Sequence, residues 1–216
     1  VCENLYPQIA LPMSDGINVP WTMQLVETLV DKEKTIITTD VGQHQVWTAN
    51  SYHFTSPRKF ISSGGLGTMG YGIPAAVGAQ IACPDNLVIA VTGDGSFQMC
   101  MHELGTILEQ ELPIKILVFN NNVLGMVRQL QYHYSGQRYS GVHFSKTVNF
   151  MDLAKAYGAA GYQIMNKEDA PAILKEALPM GGFLLLKLPL TLMIYVCLSY
   201  WAVMHWMIWC WNRKNK

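Results

Sequence analysis

Two short clusters hold the residue types best suited to chemistry: Gly93-Asp94-Gly95-Ser96 and Asn120-Asn121-Asn122-Val123-Leu124-Gly125-Met126. A hard divalent cation such as Mg2+ takes six oxygens, drawn from one or two protein carboxylates or amides, from phosphates and from water. Phosphates in turn take backbone N–H groups from glycine turns and helix N-termini. The first cluster offers one carboxylate, Asp94, between Gly93 and Gly95. The second offers the amide oxygen of Asn121 and, two residues on, the backbone carbonyl of Val123. Alone, a Gly-Asp-Gly run is as well explained by a tight turn, and an Asn run by a solvated loop or a helix cap. The interval favours a shared site. Between Gly95 and Asn120 lie 24 residues, enough for one helix and one strand, so Asp94 and Asn121 are expected at adjacent strand ends, facing one ion and through it a diphosphate.

Apolar runs that alternate with amphipathic stretches position these clusters. Thr35–Thr39, Leu87–Thr92, Ile114–Phe119 and Tyr162–Met165 read as buried strands. Pro20–Lys32, Gly72–Ala82, Met99–Gln110, Phe150–Tyr157 and Lys167–Leu178 read as helices. The expected fold class is α/β: a doubly wound, mostly parallel sheet with helices on both faces, spanning residues 16–182. In such sheets ligands bind beyond the carboxyl ends of the strands. Three successive strand ends carry glycine beside polar side chains, the first being Asp40-Val41-Gly42-Gln43-His44-Gln45.

Composition narrows the function classes. The chain has 216 residues, with 15 Lys+Arg balancing 15 Asp+Glu, so no strong field points to a nucleic-acid partner. Half the residues are hydrophobic and 14% are charged, which suits a folded domain with a sizeable core. Cys2, Cys83, Cys100, Cys197 and Cys210 lie far apart with no zinc-like spacing, so a reducing compartment is the default and a cytoplasmic location is expected. The chain opens at Val1, without a visible signal peptide. It reads as a segment of a longer protein, with residues 1–15 the remnant of a linker from an upstream domain.

Four words in order carry a resemblance: VGQHQVW at 41–47, SGGLGTMGYGIPAAVGAQ at 63–80, GDGS at 93–96 and NNNVLGMVRQLQ at 120–131. Together they resemble the C-terminal thiamine-diphosphate domain of the acetolactate synthase (acetohydroxyacid synthase) large subunit, over about residues 16–182. The resemblance implies decarboxylation of pyruvate and carboligation to 2-acetolactate, or with 2-ketobutyrate to 2-aceto-2-hydroxybutyrate, in branched-chain amino-acid biosynthesis. The implied cofactors are thiamine diphosphate and Mg2+. FAD belongs to the full-length enzyme and is held mostly by a domain absent from this chain.

Carried over residue by residue, the resemblance makes Asp94, Asn121 and the backbone oxygen of Val123 the Mg2+ ligands. Gly42, Gln43 and His44, after Val41, would meet the diphosphate, as would Gly95 and Ser96 beside Gly93. Met69 would hold the two cofactor rings in a V shape, so that the aminopyrimidine amine takes the thiazolium proton. Gly67 and Met126 would contact the aminopyrimidine, with Leu124 and Gly125 in the same loop. Taken without the resemblance, His44 reads as a capped surface histidine and Met69 and Met126 as core fillers.

One position departs from the family pattern Met-Val-x-Gln-Trp-Gln: Leu130 stands where Trp is expected. In the family that indole lines the substrate channel, favours 2-ketobutyrate as second substrate and stacks on herbicides. An aliphatic side chain has no such face, so weaker discrimination against pyruvate and low sulfonylurea sensitivity are expected. The family's activating Glu lies in a partner subunit, which implies a homodimer or tetramer of full-length subunits, with a regulatory small subunit a further possible partner. The isolated segment is therefore expected not to turn over pyruvate. Another thiamine-diphosphate enzyme such as pyruvate oxidase is the alternative within enzymes.

The last residues form a separate problem. Leu188 to Trp211 are 24 residues without a formal charge, followed by Arg213, Lys214 and Lys216, which on hydropathy reads as a transmembrane helix over 188–211. Back-translated and read from the third base of each codon, residues 204–212 instead give Ala-Leu-Asp-Asp-(Met or Leu)-Val-Leu-Glu, an acidic tail. A frameshift near Gly181–Phe183 is the favoured reading of 183–216. A membrane-anchored, non-catalytic module is the alternative.

Overall fold

The computed structural model describes residues 16–190. The expectations for the linker remnant 1–15 and for residues 191–216 lie outside that range. Helix α1 (Val19–Leu29) starts where Asn18 accepts the Trp21 N–H at 2.9 Å and Pro20 occupies the first turn, an N-cap followed by a residue with no N–H to satisfy. A 3-10 turn leads into β1 (Thr35–Thr39), then α2 (Gln43–Ser51), β2 (Phe60–Ser62), α3 (Gly72–Ala82) and β3 (Leu87–Gly93). The short α4 (Asp94–Phe97) and α5 (Leu104–Glu109) precede β4 (Lys115–Asn120). Beyond it lie α6 (Gly125–Tyr134), α7 (Phe150–Ala156), β5 (Ala160–Gln163), α8 (Ala170–Ala177) and β6 (Leu184–Pro189).

All six strands form one parallel sheet in the order β2-β1-β3-β4-β6-β5. Side chains alternate across it. Ile37, Ile89, Val91, Leu117 and Phe119 join α1, α2 and α8 in one apolar cluster. Ile36, Val88, Ala90, Ile116 and Val118 join α3, α5 and α7 in the other. The expected doubly wound α/β class is therefore the observed one.

The order creates a crevice. From β1 the chain continues into α2 on one face; from the neighbouring β3 it continues through α4 to α5 on the other. Loops leaving adjacent carboxyl ends toward opposite faces open a gap between them, the switch point where doubly wound sheets bind ligands.

The sheet also runs past the expected domain end at residue 182. Strand β6 pairs with β4 from Lys115↔Leu184 to Asn120↔Pro189 and with β5 on its other side. Leu184, Leu185, Leu186 and Leu188 are buried in the core. The fold therefore extends at least through Pro189, and the first residues of the stretch read as a possible membrane span are strand. Among the described residues no helix is long and apolar enough to cross a membrane.

At the amino end of β4, Lys115 is 1% exposed. Its Nζ donates to the carbonyls of Met180 and Gly182, pinning the connection from α8 to β6. Burial pushes its pKa down to about 8 from the usual 10.5. With the folded pKa below the unfolded one, the unfolded chain binds more protons between these values. Lys115 therefore contributes stability that is fully present above pH 10.5 and is lost as pH falls through about 8. The melting temperature of the native protein relative to Lys115→Met is expected to rise between pH 8 and pH 10. A flat difference across that range would show that burial does not set this titration.

Candidate cofactor site

The carboxyl ends of β1, β3 and β4 surround a cavity of about 220 Å³. All fifteen residues expected to bind cofactor line it: Val41, Gly42, Gln43 and His44 after β1, Gly67 and Met69 from the loop before α3, Gly93 to Ser96 after β3, and Asn121 with Val123 to Met126 after β4. Four separate segments thus converge. Leu130 is not among the lining residues; it sits about one turn beyond Met126 and Val127 on α6 and is 40% exposed.

Each loop is held by bonds that the local sequence dictates. Asp40, fully buried, accepts the N–H groups of Val41 at 2.8 Å, Gly70 at 2.9 Å and Gly72 at 3.0 Å. One carboxylate thereby ties the end of β1 to the Met69 loop. Ser96 closes the turn after β3: its hydroxyl accepts the Gly93 N–H at 3.2 Å and lies 3.0 Å from Thr92 Oγ1. In this arrangement the hydroxyl braces the turn, and Ser96 lines the cavity. Gln43 donates to Gln129 Oε1 at 2.8 Å, and a Cβ on Gly125 would overlap the Gln43 amide, so this loop and α6 meet backbone to side chain.

Asp94 is 2% exposed. Its carboxylate accepts the Gly95 N–H at 3.0 Å and the Asn122 N–H at 2.7 Å, the second crossing from the loop after β4. Burial pushes its pKa up to about 6 against these N–H groups, which favour the charged form. A buried carboxylate in this condition gains from a cation beside it. Asn121 Oδ1 accepts the Val123 N–H at 3.2 Å, and Asn122 between them has φ 58°, a left-handed turn that Asn tolerates. Among the described residues no group of three or more His, Cys, Asp or Glu gathers to hold a metal. A cation here must draw on one carboxylate, an amide, a carbonyl and ligand oxygens, the hard donors suited to Mg2+.

His44 is buried and its Nε2 has no hydrogen-bond partner. Burial pushes its pKa down to about 4, leaving a neutral ring with one unsatisfied, buried nitrogen. Trp47, Phe119, Met126, Val127 and Leu190 add apolar lining. The residues present therefore fit a ligand with a metal-bound anionic end and a flat apolar body. A volume below the 300–1,000 Å³ of pockets that enclose a whole ligand suits a cleft covering one side of it.

Residues 40–188 match the family model described as thiamine pyrophosphate enzyme, C-terminal TPP binding domain. This chain belongs to that family. The "Probable acetolactate synthase large subunit" of Methanococcus aeolicus is 46% identical over 168 residues, covering 78% of this chain and 28% of the relative. The "Acetolactate synthase large subunit" of Porphyra purpurea is 48% identical over 168 residues, with 77% and 28% covered. "Acetolactate synthase isozyme 2 large subunit" of Escherichia coli is 45% identical over 160 residues, with 73% and 29% covered. The chain spans under a third of the length of these relatives. It is a thiamine pyrophosphate-binding domain of the kind found in acetolactate synthase large subunits, as the four sequence words implied.

Several residues of this thiamine pyrophosphate-binding domain escaped the sequence reading. Gln129 is fully buried and holds Gln43, yet a Gln inside a helix gives no signal. Asn18, Val19 and Pro20 bring the start of α1 to the cavity. Asp40 carried a signal, a carboxylate at a strand end before a glycine turn.

Proposed function

We propose that the chain is the cofactor domain of an acetolactate synthase large subunit, taking pyruvate, and pyruvate with 2-ketobutyrate, as substrates of the whole enzyme. The observation that carries this reading is the convergence of the four loops on one cavity, in a chain whose relatives bear that name. Asp94, Asn121 and the Val123 carbonyl would hold Mg2+, and Mg2+ the diphosphate. The N–H groups after β1 and β3, with His44 beside them, would meet the remaining phosphate oxygens. When bound, thiamine diphosphate supplies a nucleophilic carbon and an electron sink for decarboxylation.

The chain's own residues orient and shield. Met69, half-buried on the cavity wall, would support the rings of the bound cofactor, and Trp47 and Phe119 would help to keep water from its apolar body. The open cleft supports completion by another subunit, hence a dimer or tetramer of full-length chains, with FAD bound mostly outside this domain and a regulatory small subunit as a further partner of the whole enzyme. A cytoplasmic setting accompanies this reading.

Calorimetric titration of the chain with thiamine diphosphate, with and without Mg2+, tests it. Weak binding that needs Mg2+, without pyruvate turnover, is expected. Saturation independent of Mg2+ would overturn the metal assignment, and turnover by this chain alone would overturn the incomplete site. In a full-length subunit, Leu130→Trp is expected to raise the preference for 2-ketobutyrate over pyruvate by about tenfold and to increase sulfonylurea sensitivity. Product ratios from mixed substrates would read the first effect; an unchanged ratio would separate Leu130 from the substrate channel.

A further inference from the structure

The segment between α6 and α7 folds back along α6 and reaches both loops of the candidate cation site. Gln131 exchanges two hydrogen bonds with the Ser140 backbone, donating to its carbonyl at 3.0 Å and accepting its N–H at 3.1 Å. The Arg128 guanidinium lies 4.3 Å above the Tyr139 ring. Beyond these anchors Val142 is 1% exposed, and Val123 pairs with His143 in an antiparallel bridge.

The bonds of that bridge fix a direction. The Leu124 N–H donates to the Val142 carbonyl and the Phe144 N–H to the Asn122 carbonyl, both at 2.9 Å. In extended backbone, successive peptide groups point to opposite sides. With Asn122 and Leu124 bonded toward the strap, Val123 turns its own N–H and carbonyl away from it. Its N–H accordingly meets Asn121 Oδ1, and Val123 lines the cavity.

Phe144 also touches the other loop. A Cβ built on Gly95 would lie 3.2 and 3.3 Å from two atoms of the Phe144 ring, and 2.5 Å from Leu124, so the ring lies against the glycine that follows Asp94. Asn122, whose carbonyl Phe144 holds, donates its N–H to Asp94. Phe144 belongs to neither apolar core cluster. Its position is explained by the two loops rather than by the core.

We propose that Phe144, held by the strap Tyr139–Phe144, is a positioning residue for the cation site: it sets the direction of the Val123 carbonyl and the separation of the Asp94 and Asn121 loops. This rests on the reading of Asp94, Asn121 and Val123 as cation ligands. Outer partners that orient ligands typically carry 10–100-fold in metal affinity.

The probe is Mn2+, an oxygen-seeking ion, titrated into the 216-residue chain with thiamine diphosphate present and followed by the paramagnetic resonance of the free ion. Phe144→Ala is expected to weaken Mn2+ binding about tenfold or more, and Phe144→Leu, which refills the space over Gly95, to restore most of it. Thermal melts accompany each titration. A lowered melting temperature with unchanged Mn2+ affinity would make Phe144 a packing residue and overturn the proposal. If Phe144→Ala does not fold, Gln131→Ala, which releases Ser140, is expected to lose affinity several-fold, and unchanged affinity there overturns the proposal equally. Asp94→Ala separates the two levels. Equal Mn2+ binding by it and the native chain overturns the cation site itself; loss in Asp94→Ala with none in the strap variants overturns the strap alone.

Discussion

Asp94→Ala is expected to remove Mg2+-dependent binding of thiamine diphosphate, a loss of at least about 100-fold, since a direct ligand should exceed the 10–100-fold carried by outer partners. Asp94 is the one carboxylate of the proposed donor set, is almost wholly buried, and joins two loops by accepting the N–H groups of Gly95 and Asn122. Alanine therefore removes a ligand charge and leaves both N–H groups without that acceptor. Asp94→Asn separates the effects, because an amide oxygen still accepts an N–H but brings no charge. Calorimetry should show Mg2+-dependent binding lost in both variants, with the melting temperature lower in Asp94→Ala than in Asp94→Asn. Mg2+-dependent binding retained by Asp94→Asn would show that the charge is dispensable.

Gly72→Ala should be the most damaging single methyl group in the domain. A Cβ there would lie 2.6 Å from the Asp40 nitrogen, 3.0 Å from its Cα and 3.0 Å from the Thr39 carbonyl carbon. These are backbone atoms at the end of β1 and cannot rotate aside. Nor is the start of α3 free to retreat: its Gly72 N–H bonds Asp40 Oδ2, and its carbonyl accepts the Thr38 hydroxyl at 2.9 Å. Overpacking of this kind costs about 3 kcal/mol, or about 6–12 °C in melting temperature for a domain of this size. The Met69 loop hangs on the same bonds, so cofactor binding should weaken as well. Gly78→Ala is the control, since nothing lies within 4 Å of a Cβ there in the same helix; it should stabilise by about 0.5–1 kcal/mol. Equal melting temperatures for the two variants would refute the close approach.

Three of the four strands legible in the sequence are buried on both faces; the fourth, expected as a buried strand at Tyr162–Met165, is the half-exposed edge strand β5, two residues earlier. Runs such as Ile36-Ile37 and Val88-Ile89-Ala90-Val91 announce themselves by composition, and the expected first strand has the bounds of β1. Helix α2 gives no helical signal because its buried side chains are largely polar: His44, Gln45, Thr48 and Ser51 make no apolar period. Helix α6 buries only Gln129, so its sequence looks like loop. Strand β6 lies at the head of a long apolar run with no alternation, and its membership in the sheet depends on pairing with β4, nearly seventy residues earlier. The site was more legible than the fold around it. Glycine, carboxylate and amide at strand ends signal ligand chemistry directly, whereas Gln129 and Phe144 act on those residues from a distance in sequence.

The position of β6 between β4 and β5 bears on how the chain is made. A ribosome delivers β5 before the strand that joins it to the sheet, so β4 and β5 each wait with an open edge until residues 184–189 emerge. Exposed edges of parallel strands are where nascent chains mispair. The rest of the domain can be complete in sequence and still lack the seam that closes it, which makes the last described strand the step on which productive folding during synthesis depends.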